Sequence, residues 1–419
     1  MLLIIIVLGT FSVFVWKPAY LGFCSGNTIV VPDDYTFISW AVGNAADGDT
    51  VLVKSGVYNE SEIFVDKSVT IIGEDMDDTV IDGGGTSQSI LQITADNVVV
   101  ENLTLRNTDV SSAAPAIRLS DAVNSTITKN VLKNLGHGVE LMRSNFSSIS
   151  KNVIYNATEG IRIRDNSCNN TIIGNTIENS SIGMQIADLS SQYNRIYHNN
   201  FVDNLNKIPP FTSPNYFDNG YPSGGNYWSD NPEVDDLCSG AYQNETGSDG
   251  ILDNGYPYLS SDRYPFSYPL SEVEVTAGGS VWSLQISTNS TLTDHFLNES
   301  AKSINFTIQS DTPSNGSFRI HVPRGLLRCD SLSEWKVLAT FLDGTTAELS
   351  YWSDDDSENT YLCFTYSQTD ISQIQIKGTI LVNEFSANIL IVIFVLATAT
   401  VIVHRKIVKR GKAKSFKIF

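Results

Sequence analysis

Four successive segments repeat one pattern every 22 to 24 residues, and no other feature of the chain restricts its fold as strongly. Ala116-Ile117-Arg118-Leu119 leads to Ile127 and Asn130-Val131-Leu132, and Gly138-Val139-Glu140-Leu141 leads to Ile149 and Asn152-Val153-Ile154. Gly160-Ile161-Arg162-Ile163 leads to Ile172 and Asn175-Thr176-Ile177, and Gly183-Met184-Gln185-Ile186 leads to Ile196 and Asn199-Asn200-Phe201. Each unit holds short alternating runs, the mark of strands rather than helices. A unit this small has no core of its own and must bury its apolar face against its neighbours. A leucine-rich repeat shares the period but needs a Leu-x-x-Leu-x-Leu frame, which is absent. The pattern therefore predicts coils of three short strands stacked into a right-handed single-stranded parallel β-helix.

One polar residue recurs with the coils. Asn130, Asn152, Asn175 and Asn199 occupy the same turn position, where an Asn tolerates left-handed backbone and its amide reaches the next Asn in the stack. These four are read as a structural ladder. Earlier segments, including Ser68 to Gly73 and Ile90 to Asn102, supply further coils. Phe37 to Ala46 reads as a short amphipathic helix over the open end of the stack, which otherwise exposes unpaired strand edges.

Asp47-Gly48-Asp49-Thr50-Val51, then Gly56-Val57-Tyr58, then Asp66 to Glu74, resembles the opening of pectin-lyase-like β-helix proteins. The later coils resemble the NosD-type repeat family. Gly225-Asn226-Tyr227-Trp228-Ser229-Asp230, Asp249-Gly250-Ile251-Leu252-Asp253 and Tyr268-Pro269-Leu270 resemble the segment that closes this repeat in archaeal surface proteins. The likeness runs from Thr28 to Leu270 and implies a fold rather than an activity. The NosD name implies copper delivery to nitrous oxide reductase. Copper needs His, Met or Cys ligands. His137, His198, His295, His321 and His404, with Met76, Met142 and Met184, form no His-x-His or Met-x-x-Met cluster, so copper is not expected.

The remaining segments set the domain plan. Residues 1–24 read as a signal peptide with an apolar run up to Val15. Residues 25–270 are the β-helix with its closing segment. Residues 271–380 lose the period but keep alternating runs, which predicts a small β-sandwich stalk resembling the domain before the anchor in archaeal surface proteins. Residues 385–403 are apolar and would span roughly 28 Å as a helix, enough for one membrane crossing. The 404–419 tail holds seven of the 27 basic residues and no acid, which places it in the cytoplasm and the rest outside. Twelve Asn-x-Ser/Thr sequons, among them Asn59, Asn156 and Asn305, lie in the outer part as surface glycosylation requires. Cys329 and Cys363 either pair outside the cell or stay as separate buried thiols.

Charge narrows the partners. Setting aside the tail and Lys17, 19 bases face all 46 acids, and such a body repels phosphate backbones. Nucleic acid is thereby excluded, while calcium is a candidate cofactor. Asp230, Asp235, Asp236, Asp249 and Asp253 concentrate carboxylates in one Gly- and Asn-rich stretch, as a hard cation requires. Outward positions align from coil to coil as Arg118, Glu140, Arg162 and Gln185. Beside them run Ser120, Met142, Arg164 and Ala187, then Asp121, Arg143, Asp165 and Asp188. A sugar acid docking on Arg162 and Arg164 would find Asp165 or Glu140 as base. Cross-strand ion pairs on a solvated face explain the same strip, and that reading is preferred. The expectation is a cell-surface protein that binds glycans or envelope components, with a polysaccharide lyase or epimerase as the alternative.

Overall fold

The computed structural model describes residues 26–206, 214–231, 235, 238–253, 261–309, 315–367 and 371–382. The predicted signal peptide, membrane span and basic tail lie outside these residues. Among the described residues no helix is long and apolar enough to cross a membrane.

The first part is a parallel β-helix. Eight parallel strands, from Thr28–Val31 to Arg195–Tyr197, stack in one sheet, one strand per coil. A twelve-stranded sheet forms the other faces. Its longest members, Val131–Met142 and Val153–Arg164, bend midway and so serve two faces each. Apolar residues at fixed positions in each coil, such as Ile127, Ile149, Ile172 and Ile196, are fully buried and stack in one continuous core.

The small residue of the repeat is explained at the bend. A Cβ on Gly138 would sit 2.4 Å from the Gly160 carbonyl oxygen, and one on Gly160 would sit 2.4 Å from that of Gly183. The coils approach too closely there for a side chain.

The helix Ile38–Asn44 buries Ile38, Ala41 and Val42 against the first coils. The carboxylate of Glu60 accepts the Ile38 and Ser39 backbone N–H groups at 2.7 and 3.0 Å, satisfying donors at the helix start.

Inside the stack the four repeated asparagines are fully buried. Asn130 Nδ2 donates to Asn152 Oδ1 at 3.0 Å, Asn152 to Asn175 at 2.9 Å, Asn175 to Asn199 at 2.9 Å and Asn199 to Asn226 at 3.0 Å. The run ends on the buried carboxylate of Asp262. Its Oδ2 accepts from Asn226 N and Nδ2 and from Trp228 Nε1. Left-handed backbone is not on these asparagines, contrary to expectation. It falls on the residue before each, at Lys129, Lys151, Gly174 and His198. The turn is made one position earlier, which leaves the Asn side chain free to point inward.

From Leu270 onward the chain is antiparallel. One five-stranded sheet contains Leu270–Ala277, Ser280–Thr288, Asn315–Pro323, Asn359–Ser367 and Trp352–Asp355. A second contains Thr291–Asn298, Ser303–Gln309, Ile371–Lys377, Lys336–Phe341 and Thr346–Leu349. The two enclose a separate apolar core around Phe306, Phe318 and Trp335. Cys329 and Cys363 are both free thiols, so of the two readings offered for them the unpaired one describes the structure. Asn305 is buried in the middle of a strand, so its sequon offers no surface acceptor.

Candidate functional site

The coil register aligns the outward side chains of the bent strands. Gln92, Arg118, Glu140, Arg162 and Gln185 are direct neighbours on successive coils, and the exposed Phe64 heads the row. Ser120, Met142 and Arg164 form the next row. Ala187 adds no strand partner but donates its N–H to Ile163.

Glu140 is the hub. It is 2% exposed. Arg118 Nε donates to it at 2.6 Å and Arg164 Nε at 2.7 Å, while Arg162 Nε stands 4.0 Å away. Burial alone would raise its carboxyl. The hydrogen bonds from Arg164 and Arg118 reverse that and hold it below the usual carboxylate range. A carboxylate committed to two guanidiniums is a poor base, so Glu140 acts as an anchor for arginines. Asp165 accepts Arg164 Nη1 at 2.6 Å and is similarly engaged. Asp188 accepts the Asp165 backbone N–H at 2.5 Å together with Ser190 and Ser191, and Arg143 forks onto Asp121 at 2.7 and 2.9 Å. The preferred ion-pair reading thus describes much of the strip.

Two residues outside the expected rows complete the site. His137 and Glu159 are register neighbours just before the Gly138 and Gly160 bends, and both are buried. His137 Nε2 lies 3.9 Å from Glu159, and Arg162 Nη1 donates to Glu159 at 3.2 Å. With its amide turned to donate, Gln185 reaches both Glu159 oxygens at 3.0 Å. Burial pushes the Glu159 carboxyl up, the Arg162 charge opposes this, and Glu140 adds to it. Burial lowers the His137 imidazole to about 4. The signal for the pair was the shared register, at a position the repeat pattern did not count as outward.

The guanidiniums retain capacity. Arg118, Arg162 and Arg164 are each 26–28% exposed along the side chain. A guanidinium has five N–H donors, and these are partly spent on Glu140, Glu159 and Asp165. At the centre, three guanidiniums meet three carboxylates, so the charges balance and what the face offers is the outer N–H edges of its arginines.

The acidic stretch divides: Asp235, Asp249 and Asp253 lie near enough for the last two to raise the first, and Asp230 stands elsewhere. Asp230 lines a small slot with Met184, Phe201 and Trp228. Asp235 accepts Ser248 Oγ at 2.6 Å and Gly250 N at 2.5 Å. Asp249 accepts Ile251 N at 3.0 Å and Gln243 Nε2 at 3.1 Å. Burial pushes Asp235 up to about 7 and raises Asp249. Asp253 follows Asp249 by four positions, and Asp236 lies outside the described residues. Among the described residues no three His, Cys, Asp or Glu side chains converge to hold a metal.

The histidines fare no better as copper ligands. His198 and His321 face each other with ring centroids 5.4 Å apart, but Arg319, Phe266 and Tyr361 surround them. His198 Nε2 is 3.0 Å from the Ser223 carbonyl oxygen. His295 Nε2 lies 3.0 Å from the Glu274 carbonyl oxygen and His137 sits on Glu159. His404 is outside the described residues. A guanidinium beside the histidine pair, and no third metal-ligating side chain converging on it among the described residues, do not fit a copper centre.

The fold defines a parallel β-helix protein with an appended antiparallel two-sheet domain. Residues 26–233, just under half of the chain, match the family described as periplasmic copper-binding protein (NosD), which supports a parallel β-helix family. No curated protein matches the chain. Among solved structures, a PL6 family alginate lyase is 14% identical with a TM-score of 0.27, covering 48% of this chain and 38% of that one. This chain thus spans under two fifths of the lyase. A pectin methylesterase in complex with a hexasaccharide is 15% identical with a TM-score of 0.26, covering 41% and 71%. ORF18 of Geobacillus virus E2 is 13% identical with a TM-score of 0.32, covering 82% and 75%. At such scores these likenesses carry no argument about activity.

Proposed function

We propose that this is an exported, membrane-held β-helix protein that binds an acidic glycan or envelope polymer along the Arg118, Arg162 and Arg164 face. The observation that carries the reading is the buried Glu140, which fixes guanidiniums on coils two apart while leaving their outer edges open. Guanidinium forks match carboxylate geometry, so uronate groups are the natural anions. Successive coils lie about 4.8 Å apart, so Arg118 and Arg162 stand roughly two strand spacings from each other. A polymer laid along the helix axis would meet one arginine and then the next. The extracellular placement rests on the apolar leader, the 385–403 span and the basic tail.

A second reading is favoured by one specific observation. Glu159 carries a raised carboxyl next to neutral His137 and to Arg162. A base of this kind beside a docked uronate is what a lyase or epimerase uses to remove the proton next to the carboxylate. Incubating the full-length protein with polygalacturonate and alginate, then reading the products by proton NMR, which distinguishes epimers of equal mass as well as unsaturated ends, separates the two. Binding with unchanged polymer supports recognition. Unsaturated or epimerised products abolished by Glu159→Gln establish the enzyme.

A further inference from the structure

The β-helix and the antiparallel domain line two adjoining open clefts at their junction, with volumes of about 270 and 290 Å³. Ile173, His198, Glu272 and Gln285 border both. Each is close to the lower end of small-molecule sites, roughly 300 Å³, and domain junctions are where such sites tend to form. The walls are built by register. Glu272, Gln285, His321 and Tyr361 are neighbours across four strands of one sheet, and Tyr197 and His198 from the last coil close the opposite side.

The charges of this wall are already used. Glu272 is paired with Lys151 at 2.7 Å and also accepts from Ser283. Asp356 accepts the backbone N–H groups of Glu358 and Asn359 and the Tyr361 hydroxyl, at 2.6 to 2.8 Å. Arg319 is buried behind the wall, donating to the Asp249 and Pro222 carbonyl oxygens. His198 and His321 are buried and held neutral. The cation lining the junction, Lys151, is held on Glu272, so the pair presents no net charge to a ligand, and Glu358 stands at the exposed rim. What the junction presents is amides, hydroxyls and aromatic rings: Gln285, Asn359, Ser223 and Tyr197. That set suits vicinal hydroxyl groups together with the apolar face of a sugar ring.

We infer that the junction is a binding site for a neutral sugar of one or two rings, distinct from the arginine face and independent of it. The ligand is either a free sugar or the end of a neutral glycan chain. The test is calorimetric titration of the full-length protein in mild detergent with glucose, galactose, N-acetylglucosamine and neutral disaccharides, with glucuronic acid as the charged counterpart. At least one neutral sugar should bind. Gln285→Ala and Tyr197→Ala should each weaken it at least tenfold with an unchanged circular dichroism spectrum, while Arg162→Ala leaves it alone. Equal affinity for mono- and disaccharide supports a free sugar, and tighter disaccharide binding supports a chain end. If no neutral sugar binds, if both junction variants bind as the parent does, or if glucuronic acid is preferred, the inference is overturned.

Discussion

Two rows of side chains run through the same coils, one inside and one outside, and they are built to opposite ends. The inner row, Asn130 to Asn226, is closed: each amide donates to the next, and Asp262 accepts the last. The outer row, Arg118 to Gln185 with Arg164 beside it, is open. Its carboxylates are buried and satisfied, whereas its guanidiniums keep a solvent edge. A closed row contributes stability, and an open row has donors left to give to a ligand. The difference lies in the residue type at one register position, since the coil geometry is shared.

The comparison breaks most readily from the inside. Asn175→Ala removes the acceptor of the Asn152 N–H and Nδ2 and the donor to the Ile149 carbonyl oxygen, all buried. At about 1–3 kcal/mol for each orphaned group, a loss of roughly 4 kcal/mol is expected. Chemical unfolding of the purified variant measures it, and a loss below about 1 kcal/mol would mean the ladder is replaceable by water.

The next effect is on pH. Burial lowers the His198 imidazole to about 4, below its ordinary 6.5. The unfolded chain therefore takes up the proton first, and stability falls as pH drops from 6.5 to 4. At full shift this costs on the order of 3 kcal/mol. His198→Asn keeps a residue that tolerates the positive φ of 57° and should flatten that part of the stability curve. An unchanged slope would assign the acid sensitivity elsewhere.

On the outer row, Glu140→Ala takes the shared acceptor from Arg118 and Arg164 and should cost about 3 kcal/mol, the low end for a buried pair because the guanidiniums are part-exposed. The Glu140 carboxyl is depressed, so its stabilisation is present above the ordinary carboxylate range and disappears as pH falls through the folded value. Glu140→Gln should thus narrow its gap to the parent in acid, as seen in melting curves across pH. Arg162→Ala is expected to change stability least, by about 1 kcal/mol, because its side chain is part-exposed and the buried Glu159 keeps the Gln185 amide as donor.

The coils were legible because their period sits directly in the sequence, and the Asn ladder because one residue type recurs at one place. A parallel ladder was not. It runs from Ser147 to Asn170, Asn194 and Asn215, mixing Ser with Asn, so no single letter marks it. The rows of Arg118, Glu140 and Arg162 followed from alternation. His137 and Glu159 did not, since the bend after them interrupts that alternation and turns them into the site. The junction of His198 with Arg319 and His321 joins a periodic region to an aperiodic one more than a hundred positions away, and no local pattern encodes it. The acidic stretch was legible as composition, but its backbone turns Asp235 and Asp249 onto N–H donors within the stretch itself.

The central claim is that the open row binds an acidic polymer. The most direct measurement is the affinity of the full-length protein for polygalacturonate and alginate, by biolayer interferometry, beside Arg162→Ala, Arg164→Ala and the double variant. The account predicts at least a tenfold loss for each single variant, a larger loss for the double, and weakening of the parent by added salt. Parent-like binding by the double variant, or no binding by the parent to either polymer, would contradict it.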